Sequence, residues 1–347
     1  MSKIILYPSG HAVDCAAGDT VLSALEQAGY ALPNNCRAGA CGECKIRVRN
    51  GRFDQGMVLD MALSQTEREQ GFGLMCMAKP LTDTLEIEWG SDQARPKLFP
   101  PREDMVFLLV DLIPRTPRIL ELRLLPLGAP MRYWPGQYVL LNDAEQKHPQ
   151  RAYSIANAPR IDGEITLQVS RVEGGDTSRW VHDSLRPGDR LRICGPYGAF
   201  IGDPSAETPV LCLAAGSGLA PIMALAEAAL ARGYRHPVSL LFSARRQQDV
   251  YDLGRLALWQ ARYRNFRFIR TLTGESGEPP NGRIPQILPQ MFPDLSEYSV
   301  FVAGGTDFVD QCVAAAKSLG AREELVHTEG FHRQQSAAPA MPPLPGE

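Results

Sequence analysis

Along residues 1–90, apolar and polar positions alternate in short runs separated by turn formers. KIILY and HAVDC each put every second apolar side chain on one face, and the intervening PSG predicts a hairpin. In GDTVLSALEQAGY the period lengthens to that of a helix: Val21, Leu22 and Leu25 share a face, Asp19 or Thr20 caps the start, and Gly29 ends it. KIRVRNG predicts a strand running into an Asn-Gly turn. SQTEREQG carries a capping box, Ser64 with Glu67, and stops at Gly71. TLEIEW closes this first unit, placed at residues 1–92, as a strand. The polar, proline-rich SDQARPKLFPPRED predicts a linker, residues 93–103.

Residues 104–202 are strand-rich, with MVFLLVDLIP, ILELRLLP, QYVLLND, EITLQVSRV and RLRICGP separated by turn signals. That spacing predicts a small antiparallel barrel. From Pro209 the rhythm changes: VLCLAA, VSLLFSA, FRFIRTL and YSVFVAGG read as strands, while PIMALAEAALARG, LALWQARYR and FVDQCVAAAKSLG read as helices. Strands alternating with helices predict a doubly wound parallel sheet over residues 205–331. The tail, residues 332–347, is polar and proline-rich and is expected to be disordered. The fold class is multidomain, α+β and α/β.

A length of 347 residues suits two or three domains. A net charge of -3, with no long run of either sign, argues against a nucleic-acid binder. MSKIILYPSG is too short in its apolar run for a signal peptide, and no stretch has the ~18 uninterrupted apolar residues of a membrane span. A cytoplasmic location is expected. There the 8 cysteines do not predict a disulfide framework. Cys15, Cys194, Cys212 and Cys312 lie in apolar contexts and are expected to be buried, inert thiols.

Cys36, Cys41, Cys44 and Cys76 differ. The first three sit in NNCRAGACGEC, and the spacing C-x4-C-x2-C with one distant cysteine is that of a plant-type [2Fe–2S] cluster. Gly39 and Gly42 let the backbone approach the sulfurs, and Ala38 and Ala40 add no bulk. The alternative is structural zinc, which usually presents two close pairs, whereas Cys76 stands alone.

Several further motifs follow in order. WPGQYVLL (Trp134–Leu141) precedes RAYS (Arg151–Ser154). LQVSRVEGGDTSRWV, GDRLRICGPYGAF, VLCLAAGSGLAPIMAL and HTEGF complete the series. With the cysteine motif, they make the chain up to Phe331 resemble the reductase components of bacterial multicomponent ring-hydroxylating oxygenases, of the naphthalene dioxygenase reductase kind. The resemblance implies a β-grasp ferredoxin domain, an FAD-binding barrel and an NAD(P)-binding domain. It implies that Arg151 pairs with the FAD pyrophosphate, Ala152 and Tyr153 line the flavin, and Ser154 lies near the hydride-accepting atom. Gln168 and Val169 are counted with the flavin contacts. Gly174 and Gly175 feed Thr177 and Ser178 at a helix start, an anion site suited to the pyrophosphate.

Gly216, Ser217 and Gly218 resemble the nicotinamide-nucleotide loop, with Pro221 starting the next helix well. Arg245 and Arg246 stand where a 2′-phosphate would be read, with Asp249 nearby, so NADH is favoured with tolerance of NADPH. One departure stands out: Ala303 occupies the position where relatives usually carry cysteine before a glycine. Phe331, in HTEGF, is the aromatic expected to approach the flavin. His11, His148, His182, His236 and His332 show no ligand spacing.

The resemblance implies an NAD(P)H-dependent oxidoreductase of aromatic hydrocarbon catabolism, passing electrons through FAD and the cluster to an oxygenase component or its ferredoxin. Two other acceptor readings stay open: a non-oxygenase partner such as a deoxysugar dehydrase, and a redox sensor, for which no output module is visible. Residues 1–92 carry 8 Lys and Arg against 12 Asp and Glu, a net of -4 that would steer a basic partner. Solvated surface charge is the equal alternative. A monomer is the default for such a carrier.

Overall fold

The computed structural model describes residues 1–34, 36–90, 96–143, 145, 147–202, 206–275 and 280–331. The expected tail and the first residues of the linker lie outside them.

The first unit is built on a mixed sheet. Strands β1 (Ser2–Tyr7) and β2 (His11–Cys15) form the expected hairpin, followed by helix α1 (Val21–Gln27). Strand β3 (Lys45–Asn50), the short β4 (Phe53–Asp54), α2 (Gln65–Glu69), β5 (Phe72–Leu74), the short β6 (Lys79–Pro80) and β7 (Thr84–Glu88) complete it. The order β2-β1-β7-β3-β5, with β1 parallel to β7, is a β-grasp sheet. Ile4, Leu6, Leu85 and Ile87 turn inward and meet Val21, Leu22 and Leu25 of α1. Thr20 is the cap, accepting from the Ser23 N–H, and the Ser64–Glu67 capping box is present.

Gly29 does more than end α1. Its φ is +82°, and a Cβ there would lie 2.9 Å from the Leu98 carbonyl oxygen. Its own carbonyl accepts the N–H groups of Lys97 and Leu98 at 2.7 and 2.9 Å. The described part of the expected linker is thus packed onto the first unit, and Phe99 stacks on Trp134 of the next.

Six antiparallel strands follow: β8 (Arg102–Pro114), β9 (Ile119–Pro126), β10 (Tyr138–Asp143), β11 (Arg151–Ser154), β12 (Ile165–Ser170) and β13 (Arg190–Tyr197). β8 begins at Arg102, inside the expected linker. Their order is β11-β10-β13-β8-β9-β12, and an Ile155–Leu167 bridge between the two ends nearly closes the barrel. Helix α3 (Asp176–Asp183) follows β12 and sends Val181 into the barrel core.

The last unit alternates β14 (Val210–Ala215), α4 (Leu219–Ala231), β15 (Val238–Ala244), α5 (Leu253–Arg262), β16 (Phe266–Leu272), α6 (Ile284–Met291), β17 (Ser299–Gly305), α7 (Thr306–Ser318) and β18 (Val326–Phe331). All strand pairs are parallel, in the order β16-β15-β14-β17-β18. Alternate residues of β14 enter two cores, Cys212 and Ala214 on one face and Leu211 and Leu213 on the other. Both faces are therefore covered, as a doubly wound sheet requires. The reversal of order falls between β14 and β17, where such folds bind ligands at the strand ends. Among the described residues no helix is long and apolar enough to cross a membrane.

Candidate redox site

The cysteine loop follows α1 and runs in non-regular backbone to β3. Ala38 and Ala40 donate N–H groups to Cys36 Sγ at 3.5 and 3.4 Å, and Cys76 donates to Cys44 Sγ at 3.4 Å. Gly39 and Gly42 have φ of +68° and +81°, and a Cβ on Gly39 would stand 2.9 Å from Val58 Cγ1. The sulfurs pair two and two, Cys36 with Cys41 and Cys44 with Cys76. Within each pair one thiol is lowered and its partner raised, chiefly by the hydrogen bond they share. Among the described residues no three His, Cys, Asp or Glu side chains converge on a single ion. Four cysteine sulfurs at this spacing, with backbone N–H groups turned toward Cys36 and Cys44, are a donor set of the kind a [2Fe–2S] cluster takes.

Arg37 follows Cys36 with φ +53°. Its guanidinium reaches Glu26 at 2.6 and 2.8 Å and lies over the Tyr197 ring. Asn34 donates to Glu26 at 3.3 Å and accepts from the Tyr138 hydroxyl at 2.7 Å. The cluster loop is therefore fastened to barrel strands β10 and β13 by buried polar contacts.

RAYS is β11, an edge strand of the barrel. Arg151 is half-buried and spends one donor on the Gln150 carbonyl at 2.8 Å. Ala152 and Tyr153 are half-buried, and burial pushes the Tyr153 hydroxyl up. Ser154 is buried and donates to Glu329 Oε1 at 2.9 Å. Glu329 sits on β18 and is pushed up to about 8, first by burial, against the Ser154 hydrogen bond, and with help from the Glu43 charge. Its Oε2 is buried with no hydrogen-bond partner among the described residues. Phe331, half-buried, lies two residues on, beside Gly305.

Gln168 and Val169, expected among the flavin contacts, lie on β12 with both side chains engaged within the protein. Val169 is fully buried in the barrel core, and its carbonyl faces His182 Nε2 at 3.0 Å. The Gln168 side chain is taken by Glu121, Asp252 and Tyr251 at 3.3, 3.2 and 2.9 Å. Alternation in a barrel strand identifies two faces but not which one a ligand meets. Gly174 has open space around it, Gly175 caps α3, Thr177 donates to the Pro149 carbonyl at 2.5 Å and Ser178 accepts from the Val172 N–H.

The GSG turn follows β14 as a short 3-10 turn, Gly216–Gly218, and Pro221 lies within the first turn of α4. Ser217 is half-buried. Gly218 packs against Ala303 and Gly304 at the end of β17, so the turn and the departure from cysteine meet at one point. Arg245 and Arg246 are exposed after β15, and the Arg246 N–H is held by Asp249 at 3.1 Å. Cys194 departs from the expected burial, being half-buried, whereas Cys15, Cys212 and Cys312 are buried.

Reading the sequence missed a polar seam between barrel and nicotinamide unit. Arg115 pairs with Glu121 at 2.7 Å and lies 3.6 Å from Asp252. The Tyr251 hydroxyl, 2.9 Å from Gln168 Oε1, is also 3.1 Å from the Gly216 carbonyl. Its members are scattered along the chain, and the one local signal, an acidic residue just before the helical LGRLALWQAR, reads as an ordinary cap.

Residues 4–81 match the 2Fe-2S iron-sulfur cluster binding domain, residues 111–201 the oxidoreductase FAD-binding domain, and residues 212–314 the oxidoreductase NAD-binding domain. The aromatic O-demethylase reductase subunit of Amycolatopsis sp. is 34% identical over 330 residues, covering 93% of this chain and 96% of that protein. Reductase component 1 of a Comamonas terephthalate 1,2-dioxygenase is 30% identical, over 95% and 97% of the two chains. An Amycolatopsis cytochrome P450 reductase superposes with a TM-score of 0.84 at 31% identity, over 95% of this chain and 99% of that one. The chain belongs to the family of modular [2Fe–2S], FAD and NAD(P) reductases that includes the reductase components of aromatic oxygenase systems.

Proposed function

We propose that the chain takes reducing equivalents from NADH, with NADPH tolerated, and delivers them to an aromatic-oxygenase component, its ferredoxin or a cytochrome P450. The named relatives serve such systems. FAD held beside Arg151–Ser154 would supply a hydride acceptor, and a [2Fe–2S] cluster held by Cys36, Cys41, Cys44 and Cys76 would supply one-electron transfer, which would match a two-electron donor to a one-electron acceptor.

The observation that carries this reading is the meeting of three units at one carboxyl. Ser154 of the barrel donates to Glu329 of the nicotinamide unit, and Glu43, between two cluster cysteines, acts on the same group. Near neutral pH Glu329 holds a proton, and its unpartnered Oε2 offers it to a group seated beside Ser154. Arg151 keeps free donors for a diphosphate, in the fork geometry such groups favour. The glycine turn at Gly216–Gly218 lies at the switch point and leaves backbone room for the nucleotide. Cys36, Cys41, Cys44 and Cys76 hold the cluster in this reading.

The working units are residues 1–92, 104–202 and 205–331. A cytoplasmic monomer is the form proposed, and the eight free cysteines suit a reducing compartment. The test is anaerobic rapid mixing with NADH, followed in the visible spectrum. Flavin bleaching followed by cluster bleaching is expected. A cluster that stays oxidised while the flavin bleaches would remove it from the path.

A further inference from the structure

Three large apolar side chains lie exposed on one short segment of the first unit. Met57 is 89% exposed, Leu59 53% and Met61 86%. Single exposed apolar residues are ordinary, but three within five positions form a patch.

The segment is fixed against the cluster loop. The Leu59 N–H donates to the Gly39 carbonyl at 3.0 Å. A Cβ on Gly39 would lie 2.9 Å from Val58 Cγ1 and 3.0 Å from the Met57 carbonyl, and one on Gly42 would lie 3.2 Å from the Ala62 carbonyl. Those two glycines flank Cys41, and of the four cluster cysteines Cys41 alone is not buried. The patch therefore borders the edge at which the cluster comes nearest to solvent, and electron transfer weakens steeply with separation.

Charge adds direction. Asp54 is exposed and carries the charge beside the patch; Asp60, its side chain 94% exposed, is paired with Arg68 at 3.2 Å, and no lysine or arginine falls between Arg52 and Arg68. An apolar centre with acidic neighbours complements an apolar face bordered by bases. Methionine, unbranched and polarisable, suits a face that must seat on a partner and leave it again.

We propose that Met57, Leu59 and Met61 form the docking surface for the protein electron acceptor, whose own face is apolar with lysine or arginine at its border. The proposal rests on the reductase reading above and names where its acceptor sits.

The test uses the full chain with its cofactors. Met57→Ser/Met61→Ser is compared with the parent and with Ile161→Ser, a wholly exposed apolar residue on a barrel turn at 104%. Cytochrome c serves as a basic protein acceptor, and ferricyanide as a small acceptor that needs no docking face. The double variant should raise the KM for cytochrome c roughly tenfold, the size expected when interface anchors are truncated. Its ferricyanide turnover and cluster absorbance should match the parent, and Ile161→Ser should change nothing. Unchanged cytochrome c kinetics in the double variant overturns the proposal, as does an equal loss in Ile161→Ser. A concentration-dependent dimer that the double variant abolishes, with cytochrome c kinetics unchanged, would assign the patch to a second copy instead. Failure of the reductase reading looks different: the parent would not oxidise NADH with ferricyanide.

Discussion

The Arg37 guanidinium lies 4.2 Å from the centroid of the Tyr197 ring, so the residue after a cluster cysteine is pinned to the last strand of the barrel. The same guanidinium pairs with Glu26, whose side chain is 3% exposed. Burial raises the Glu26 carboxyl above its ordinary range, against Arg37 and Asn34. Removing one partner of such a buried pair strands the other, at a cost of about 3–5 kcal/mol.

Arg37→Ala is therefore expected to lower the melting temperature of the first unit, read from cluster absorbance, while flavin release shifts less. Reduction of the cluster by the flavin should slow in the same variant, because the loop loses its seat on Tyr197. Arg37→Ala/Glu26→Gln should recover part of the stability by removing the stranded charge. An unchanged melting temperature in Arg37→Ala would mean that the pair is dispensable.

Glu329 gives a pH dependence with a definite sign. Its carboxyl is raised from 4.5 to about 8 in the folded chain, with burial as the main cause. The folded state then binds more protons than the unfolded state between those values, so stability falls as pH rises from about 4.5 to about 8. Below the lower value the contribution is complete and flat. In the flavin-free protein the melting temperature should decline across that window. Glu329→Gln should flatten the decline. It should also slow NADH-driven flavin reduction by about a hundredfold, the lower range for losing a positioned proton donor. A Glu329→Gln protein with the parent's pH profile and parent rates would remove the carboxyl from the site.

What the sequence revealed follows from how local each signal is. The caps at Thr20 and Ser64, the cysteine spacing and the change from barrel to alternating strands and helices are all written within a few residues of one another. Helix α6 is hard to read from sequence because it holds two prolines: Pro285 in the first turn removes no needed donor, whereas Pro289 stands inside the helix, where proline is disfavoured. Strand β18 was hidden by His327, Thr328 and Glu329, whose polar run gives no alternation. Glu329 shows in the sequence only as the acidic member of HTEGF, and its partner Ser154 is 175 positions away, so its role is not legible locally. The side-chain partners of Gln168 are likewise not legible locally, since Glu121, Tyr251 and Asp252 lie far from it in sequence.

Cys41→Ser tests the separation of the units. Cys41 lies on a loop of the first sheet, whereas RAYS and the glycine turn lie in the other two. The variant should lose cluster absorbance and reduction of protein acceptors, while NADH still bleaches the flavin at the parent rate. Loss of flavin bleaching as well would show that the cluster loop supports the flavin seat through Asn34 and Arg37.

Gly218 and Gly216 stand two residues apart and should respond differently to the same substitution. A Cβ on Gly218 would meet the Ala303 carbonyl oxygen at 2.2 Å, its carbon at 2.4 Å and the Gly304 nitrogen at 2.7 Å. All three are backbone atoms, so alanine there forces the ends of β14 and β17 apart at the switch point. Gly216, at φ +57°, has nothing within 4 Å, and alanine there meets only the left-handed backbone cost of about 1–2 kcal/mol. Gly218→Ala is therefore expected to raise the KM for NADH by at least about tenfold, or about 1.4 kcal/mol, with FAD and cluster contents unchanged. Gly216→Ala should lower stability and shift KM less. Steady-state kinetics with ferricyanide, beside flavin and iron content, separates the two. A parent-like KM in Gly218→Ala would place the nucleotide away from this turn. A larger effect at Gly216 than at Gly218 would mean that backbone freedom at the open end of the turn, and not its close packing on β17, controls binding.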